Sequence, residues 1–205
     1  MLDNLFRALL VASLLVGASV SAEEVEREKL QATIDAALDV IYSDCCTSLS
    51  DEAKQAKVRE AVEASYDLDV IIRRAIGRNW KLMSESEQAE ILDLVKQLVL
   101  KAYVKGLNGK DRPVVTLGEV IKVSEKRMEI KSTVVLDKTT FYVLYRLARM
   151  ESGWQVYDIV AENVSVVSNY REQIDDHFRK GSSAELITRL KELLEKDNTN
   201  EDIQL

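Results

Sequence analysis

The chain has 205 residues, with 28 Lys+Arg against 35 Asp+Glu, one His and two Cys, and a formal net charge of -7. Charged residues make up 31% of it and proline and glycine are scarce, which excludes disordered and collagen-like chains. An acidic balance lacks the basic face of a nucleic-acid binder, and one His with two adjacent Cys falls short of the roughly four ligands of a structural zinc site.

Residues 1–22 read as a secretory leader. Arg7 precedes an apolar run from Ala8 to Val20, and the small residues Ser21 and Ala22 stand before Glu23. The run is shorter than the roughly 20 residues of a bilayer span, so cleavage after Ala22 is expected rather than retention as an anchor. The mature protein is then a single domain, 23–205, expected in the periplasm, with 196–205 as a polar, frayed tail. Disulfides persist in such a compartment. Cys45 and Cys46 are adjacent, however, and a bridge between them closes no loop worth closing. Free thiols, a vicinal disulfide and an intermolecular bridge all remain open.

Leu30, Ile34, Leu38 and Ile41 recur at helical spacing and predict a helix over 24–44. Ser50 with Asp51 and Glu52 behind it predicts an N-cap and a helix to about Ser65. A short apolar helix follows over 66–76, with Gly77 as its stop. Ser84-Glu85-Ser86-Glu87 is a capping box, and it opens a helix to about Lys105 that is apolar over more than half its circumference. Such a helix is buried on two sides, or buried on one and lining a cavity on the other.

Pro113, the only proline, closes the main break at 108–113. Beyond it, 114–123, 127–136, 139–150 and 154–161 are rich in β-branched and aromatic residues. Short links at Glu125-Lys126, Asp137-Lys138 and Ser152-Gly153 make them an antiparallel meander of about four strands. Helices return at 165–178 and after a second capping box, Ser182-Ser183-Ala184-Glu185. Helices followed by a block of strands define an α+β fold.

Catalytic signatures are missing. There is no nucleophile elbow, phosphate loop, C-x-x-C or dinucleotide fingerprint. Any triad chemistry would have to pass through His177 alone. Asp175, Asp176 and His177 sit about 100° apart around a helix and cannot converge, so they read as a solvated charged face. No enzyme activity and no metal are expected.

Three stretches resemble a known family. Gly77-Arg78-Asn79-Trp80 follows a Tyr-Asp-x-Asp-x-Ile lead-in. Then come Gly153-Trp154-Gln155-Val156-Tyr157-Asp158-Ile159-Val160 and Val164-Ser165-Val166-Val167-Ser168-Asn169-Tyr170-Arg171-Glu172-Gln173. In order and spacing they resemble MlaC, the periplasmic phospholipid-binding family also called toluene-tolerance auxiliary proteins, over about Lys29 to Leu194. Two positions depart from the family pattern: Asn163 stands for the usual Gly and Ile174 for the usual Phe. Asn is the next best residue for a left-handed turn.

The resemblance implies an NTF2-like fold, with helices on a curved antiparallel sheet around a deep apolar pocket. It implies phospholipid as cargo with no further cofactor. It also implies shuttling between an outer-membrane lipoprotein-porin assembly and an inner-membrane ABC lipid transporter. Physically the role is coherent. Each methylene exposed to water costs about 0.8 kcal/mol, so a bare phospholipid with about 30 of them would cost on the order of 20 kcal/mol to carry. A carrier therefore needs apolar walls more than reactive groups.

Candidate lining residues are Ile71 and Ile72, then Leu94, Val95, Leu98 and Ala102, and on the strands Met128, Ile130, Val134, Leu136, Phe141, Val143 and Tyr145. Some of these are core. Trp154 and Tyr157, three apart, are expected on opposite faces of one strand. Arg78 and Arg171 are either head-group or partner contacts, or salt bridges tying helix to sheet with Asp158 as natural partner. An alternative to the carrier is a periplasmic adaptor of a membrane transporter, with the same fold and a filled core.

Overall fold

The computed structural model describes residues 22–196. The expected leader, apart from its last residue, and the expected frayed tail beyond Lys196 lie outside the described residues. The elements run α1 (Ala22–Tyr42), α2 (Asp51–Glu63), α3 (Leu68–Ile76), a 3-10 segment (Gly77–Leu82) and α4 (Glu85–Leu107). Then follow β1 (Val114–Ser124), β2 (Arg127–Leu136), β3 (Thr139–Met150), β4 (Gly153–Ala161), β5 (Val164–Ser165), α5 (Val166–Phe178) and α6 (Ser183–Glu195). None of these helices is long and apolar enough to cross a membrane.

Local chemistry sets most boundaries. Ser50 Oγ accepts from the Ala53 amide at the start of α2. Ser84 with Glu87 and Ser182 with Glu185 form complete capping boxes on α4 and α6. Asp137 and Lys138 take φ of 49° and 69°, and Glu162 and Asn163 take 48° and 67°. Both pairs are left-handed two-residue turns of the kind that close hairpins. The second pair makes room for the two-residue β5, so the sheet has five strands where about four are expected. The 3-10 segment is likewise unannounced by the apolar pattern, because it buries chiefly Asn79.

The sheet is a pure antiparallel meander in the order β1-β2-β3-β4-β5. Bulges interrupt β1 between Leu117 and Val120 and the β3–β4 pair at Arg146/Leu147. Bulges increase local twist and bend a strand. Helix α1 lies on β1, α3 and α5 lie on β4, and α4 packs on α2, α3 and α6.

Buried apolar residues fall into three clusters. One joins α3, α4, α5 and α6 through Ile76, Ile91, Leu94, Ile174, Leu186 and Leu190. A second lies on one sheet face, where Leu30 of α1 and Tyr66 cover Leu117, Met128, Ile130 and Leu147. The third holds α1, α2 and the end of α4 together through Ala37, Ile41, Val58, Leu100 and Val104.

Candidate functional site

Cross-strand partners share a face, so the register defines the inner surface of the sheet. Met128 faces Leu147, Ile130 faces Tyr145, Ser132 faces Val143 and Val134 faces Phe141. Tyr145 in turn faces Ile159, and Val143 faces Ala161. One end of this surface, at Met128, Ile130 and Leu147, is fully buried beneath α1. Towards the other end Tyr145, Val143, Val134 and Leu136 are only half-buried, and Phe141 is 38% exposed.

Ile159 connects this row to a cavity of about 200 Å³ among the helices. Helix α3 contributes Leu68, Ile71, Ile72, Ala75 and Ile76; α4 contributes Ile91, Val95, Leu98 and Val99. Val166, Val167, Tyr170 and Ile174 of α5 and Leu186 and Leu190 of α6 complete the wall. Only Tyr170 carries a polar side-chain atom. Val99 is 47% exposed and marks the mouth.

One turn further along α4, Tyr103 stands near Tyr145. Burial, with Tyr42 and Tyr145 nearby, pushes the Tyr103 phenol well above its ordinary value. Burial alone pushes Tyr145 up to about 12. Both are neutral at physiological pH and present aromatic surface. The two phenols therefore add uncharged surface beside the row. On the same row the buried Ser132 Oγ has no hydrogen-bond partner.

The thirteen candidate lining residues separate into three groups. Ile71, Ile72, Val95 and Leu98 line the helical cavity. Leu94, Met128 and Ile130 are buried in the clusters, and Tyr145 packs half-buried against the second. Val134, Leu136, Phe141 and Val143 form the open end of the sheet row, and Ala102 is exposed. The walls from α5, α6 and Ile159 are absent from that candidate set. Their own signal was present, since Leu186 and Leu190 recur at i, i+4, but periodicity does not say what a face meets.

The motif residues mostly fasten the frame. Gly77 has φ +61°, and a Cβ on it would stand 3.2 Å from Arg171 Nε. Arg171 Nε donates to the Arg74 carbonyl at 3.0 Å, satisfying a terminal carbonyl of α3. Arg78 pairs with Asp175 at 3.1 Å, and Asn79 Nδ2 donates to the same carboxylate at 2.6 Å. Trp80 is partly buried against the helical cluster, and Asn169 is exposed.

Asp158 is not the partner of Arg78 or Arg171. It is buried at 5% exposure, pairs with Arg146 at 3.0 Å, and accepts from Ser165 Oγ at 2.9 Å and from the Val167 amide at 3.2 Å. It therefore anchors the β4–β5 turn and the start of α5. Ser165 also caps α5 by accepting from the Ser168 amide, while Val164 is exposed at the sheet edge. Trp154 packs with Val156 in the sheet-face cluster. Tyr157 sits at the bulge, away from it, with the Arg74 guanidinium 4.4 Å from its ring centroid. Asp175 is held by Arg78 and Asn79 rather than simply solvated. Asp176 pairs with Arg179, and His177 Nε2 donates to the Ser182 carbonyl at 2.9 Å.

Among the described residues no group of three or more His, Cys, Asp or Glu could hold a metal ion. A family model described as MlaC protein matches residues 31–192. No curated protein sequence matches the chain. Among solved structures, the chain is similar to a phospholipid-binding protein from Ralstonia solanacearum in complex with a phospholipid. The two are 22% identical, the match covers 82% of this chain and 96% of that one, and the TM-score is 0.69. At this identity the likeness is one of fold.

Proposed function

This chain belongs to the MlaC family, and on that premise we propose that it is a periplasmic phospholipid carrier. The observation that carries the reading is the continuous apolar surface running from the helical cavity, through Ile159, to the half-open row at Tyr145, Val143 and Val134. A soluble domain ordinarily closes such a surface with a helix or an interdigitating sheet. Here Val134, Leu136 and Val143 stay half-buried and Phe141 is 38% exposed. Acyl chains supply the missing contacts. The absence of charge inside means that no unpaired ion has to be desolvated when they enter.

The wider role follows from that chemistry. A bare lipid cannot cross water at useful concentration, so the carrier would take its cargo from one membrane complex and hand it to another. Its donor and acceptor in this proposal are an outer-membrane lipoprotein-porin assembly and an inner-membrane ABC lipid transporter. The net charge of -7 favours hand-over through protein contacts, because anionic lipid surfaces repel an acidic protein. Non-catalytic transport also accords with a site that offers no paired acid and base.

Lipid extraction and mass spectrometry of natively purified protein test the reading. Phospholipid is expected to co-purify and to exchange with lipid presented in liposomes. Lipid-free protein that also takes up none from liposomes would sink the proposal.

A further inference from the structure

The turn that joins α1 to α2 holds both cysteines, and lipid carriage gives them no task. Cys45 Sγ and Cys46 Sγ lie 3.0 Å apart, so the side chains converge although the residues are adjacent. The two are unequal. Cys45 is exposed and its sulfur is 3.3 Å from Ser43 Oγ, whereas Cys46 is buried. The contact with Cys46, then that with Ser43, holds the Cys45 thiol below its ordinary value, and the Lys57 ammonium adds to this. The same contact, together with burial, pushes Cys46 up. An accessible thiol with raised thiolate character beside a shielded second thiol is the arrangement of an attacking and a resolving cysteine.

We propose that Cys45 and Cys46 form a reversible dithiol–disulfide site that exchanges with small-molecule or protein disulfides. The Cys45 thiolate attacks one sulfur of a disulfide R–S–S–R, forming a Cys45–S–S–R bond and releasing one thiolate. The Cys46 thiolate then attacks the Cys45 sulfur, the bond to R breaks, and a second thiolate leaves. Two electrons and two protons pass from the cysteines to the two released thiols, and a vicinal disulfide remains. Consecutive Cα atoms are about 3.8 Å apart, below the roughly 4.4–6.8 Å that disulfides prefer. Such a bridge is strained and easily reduced, which suits a reversible site and not a staple.

The test is intact-mass analysis of the reduced full-length chain after incubation with oxidised glutathione. Wild type is expected to lose two hydrogens and retain no glutathione. Cys46→Ser, and independently Cys46→Ala, should accumulate one glutathione on Cys45, while Cys45→Ser should react about tenfold more slowly or not at all. A stable glutathione adduct on wild type, a disulfide-linked dimer, or two unchanged thiols would each overturn the proposal.

Discussion

Arg171 donates through Nε to the carbonyl of Arg74, and the same atom stands 3.2 Å from where a Cβ on Gly77 would lie. The end of α3, the 3-10 segment and α5 therefore meet at a point with no room for a side chain. Gly77→Ala strains a φ of +61° and displaces Arg171. We expect it to lower unfolding free energy by about 1–3 kcal/mol. The urea midpoint should fall with little change in slope. Gly106→Ala in α4, where nothing lies within 4 Å, is the control and should be neutral or stabilising by about 0.5–1 kcal/mol.

Bulk placed in the cavity should act on lipid and not on folding. Val95→Trp, half-buried on the cavity wall, and Val134→Trp, on the open sheet row, should each reduce co-purified phospholipid several-fold with little loss of stability. Ile130→Trp, fully buried beneath α1, should instead destabilise by about 1–3 kcal/mol through overpacking. Phosphorus analysis of the three purified variants, alongside their thermal melts, checks the contrast. Equal effects at all three positions would mean that no cavity distinguishes them.

Asp158 is the buried carboxylate on which Arg146, Ser165 and the Val167 amide converge. Asp158→Ala strands the buried Val167 amide and removes bonds from Ser165 and Arg146, although Arg146 keeps Glu129 at 3.0 Å, and should cost about 2–3 kcal/mol. Ser165→Ala, losing the α5 cap and one of these bonds, should cost about 1 kcal/mol. Because the two residues share one network, the double variant should lose less than the sum of the singles. Chemical denaturation of the three variants gives the cycle.

Two capping-box carboxylates make stability depend on acid. Bonds from Ser183 and from the Ser84 backbone and hydroxyl hold Glu87 below its ordinary value, and the Ser182 backbone and hydroxyl do the same for Glu185. A carboxyl lowered in the folded state binds fewer protons there than in the unfolded chain. Its contribution is present above the unfolded value and is lost as pH falls through the folded one. Melting temperature should therefore drop below about pH 5, and Glu87→Gln or Glu185→Gln should flatten that drop. Melts in a series of acid buffers decide it; an unchanged slope in both variants would remove the capping boxes as its source.

Much of the secondary structure could be read from the residues directly. Ser50, Ser84 and Ser182 announce their helices because a hydroxyl beside free amides is a local event. Asp137-Lys138 and Ser152-Gly153 mark hairpins for the same reason. The 3-10 segment and β5 are not announced so: each is short, and it is their packing that holds them in place.

The functional surface lies between these cases. The residues alone determined that α4 is apolar over too wide an arc for one contact, that the inner strand rows are apolar, and that no reactive set accompanies them. Periodicity gives the direction of a side chain and not the distance to what it faces. Only the tertiary structure decided that Met128 and Ile130 meet α1 and become core, while Val134 and Val143 do not. Only it brought Ile71, Val95, Tyr170 and Leu186, from four separate helices, around one cavity. The reason is that Leu30 of α1 packs on Met128, Ile130 and Leu147 at one end of the row, while Val134, Leu136 and Val143 at the other end belong to none of the buried clusters.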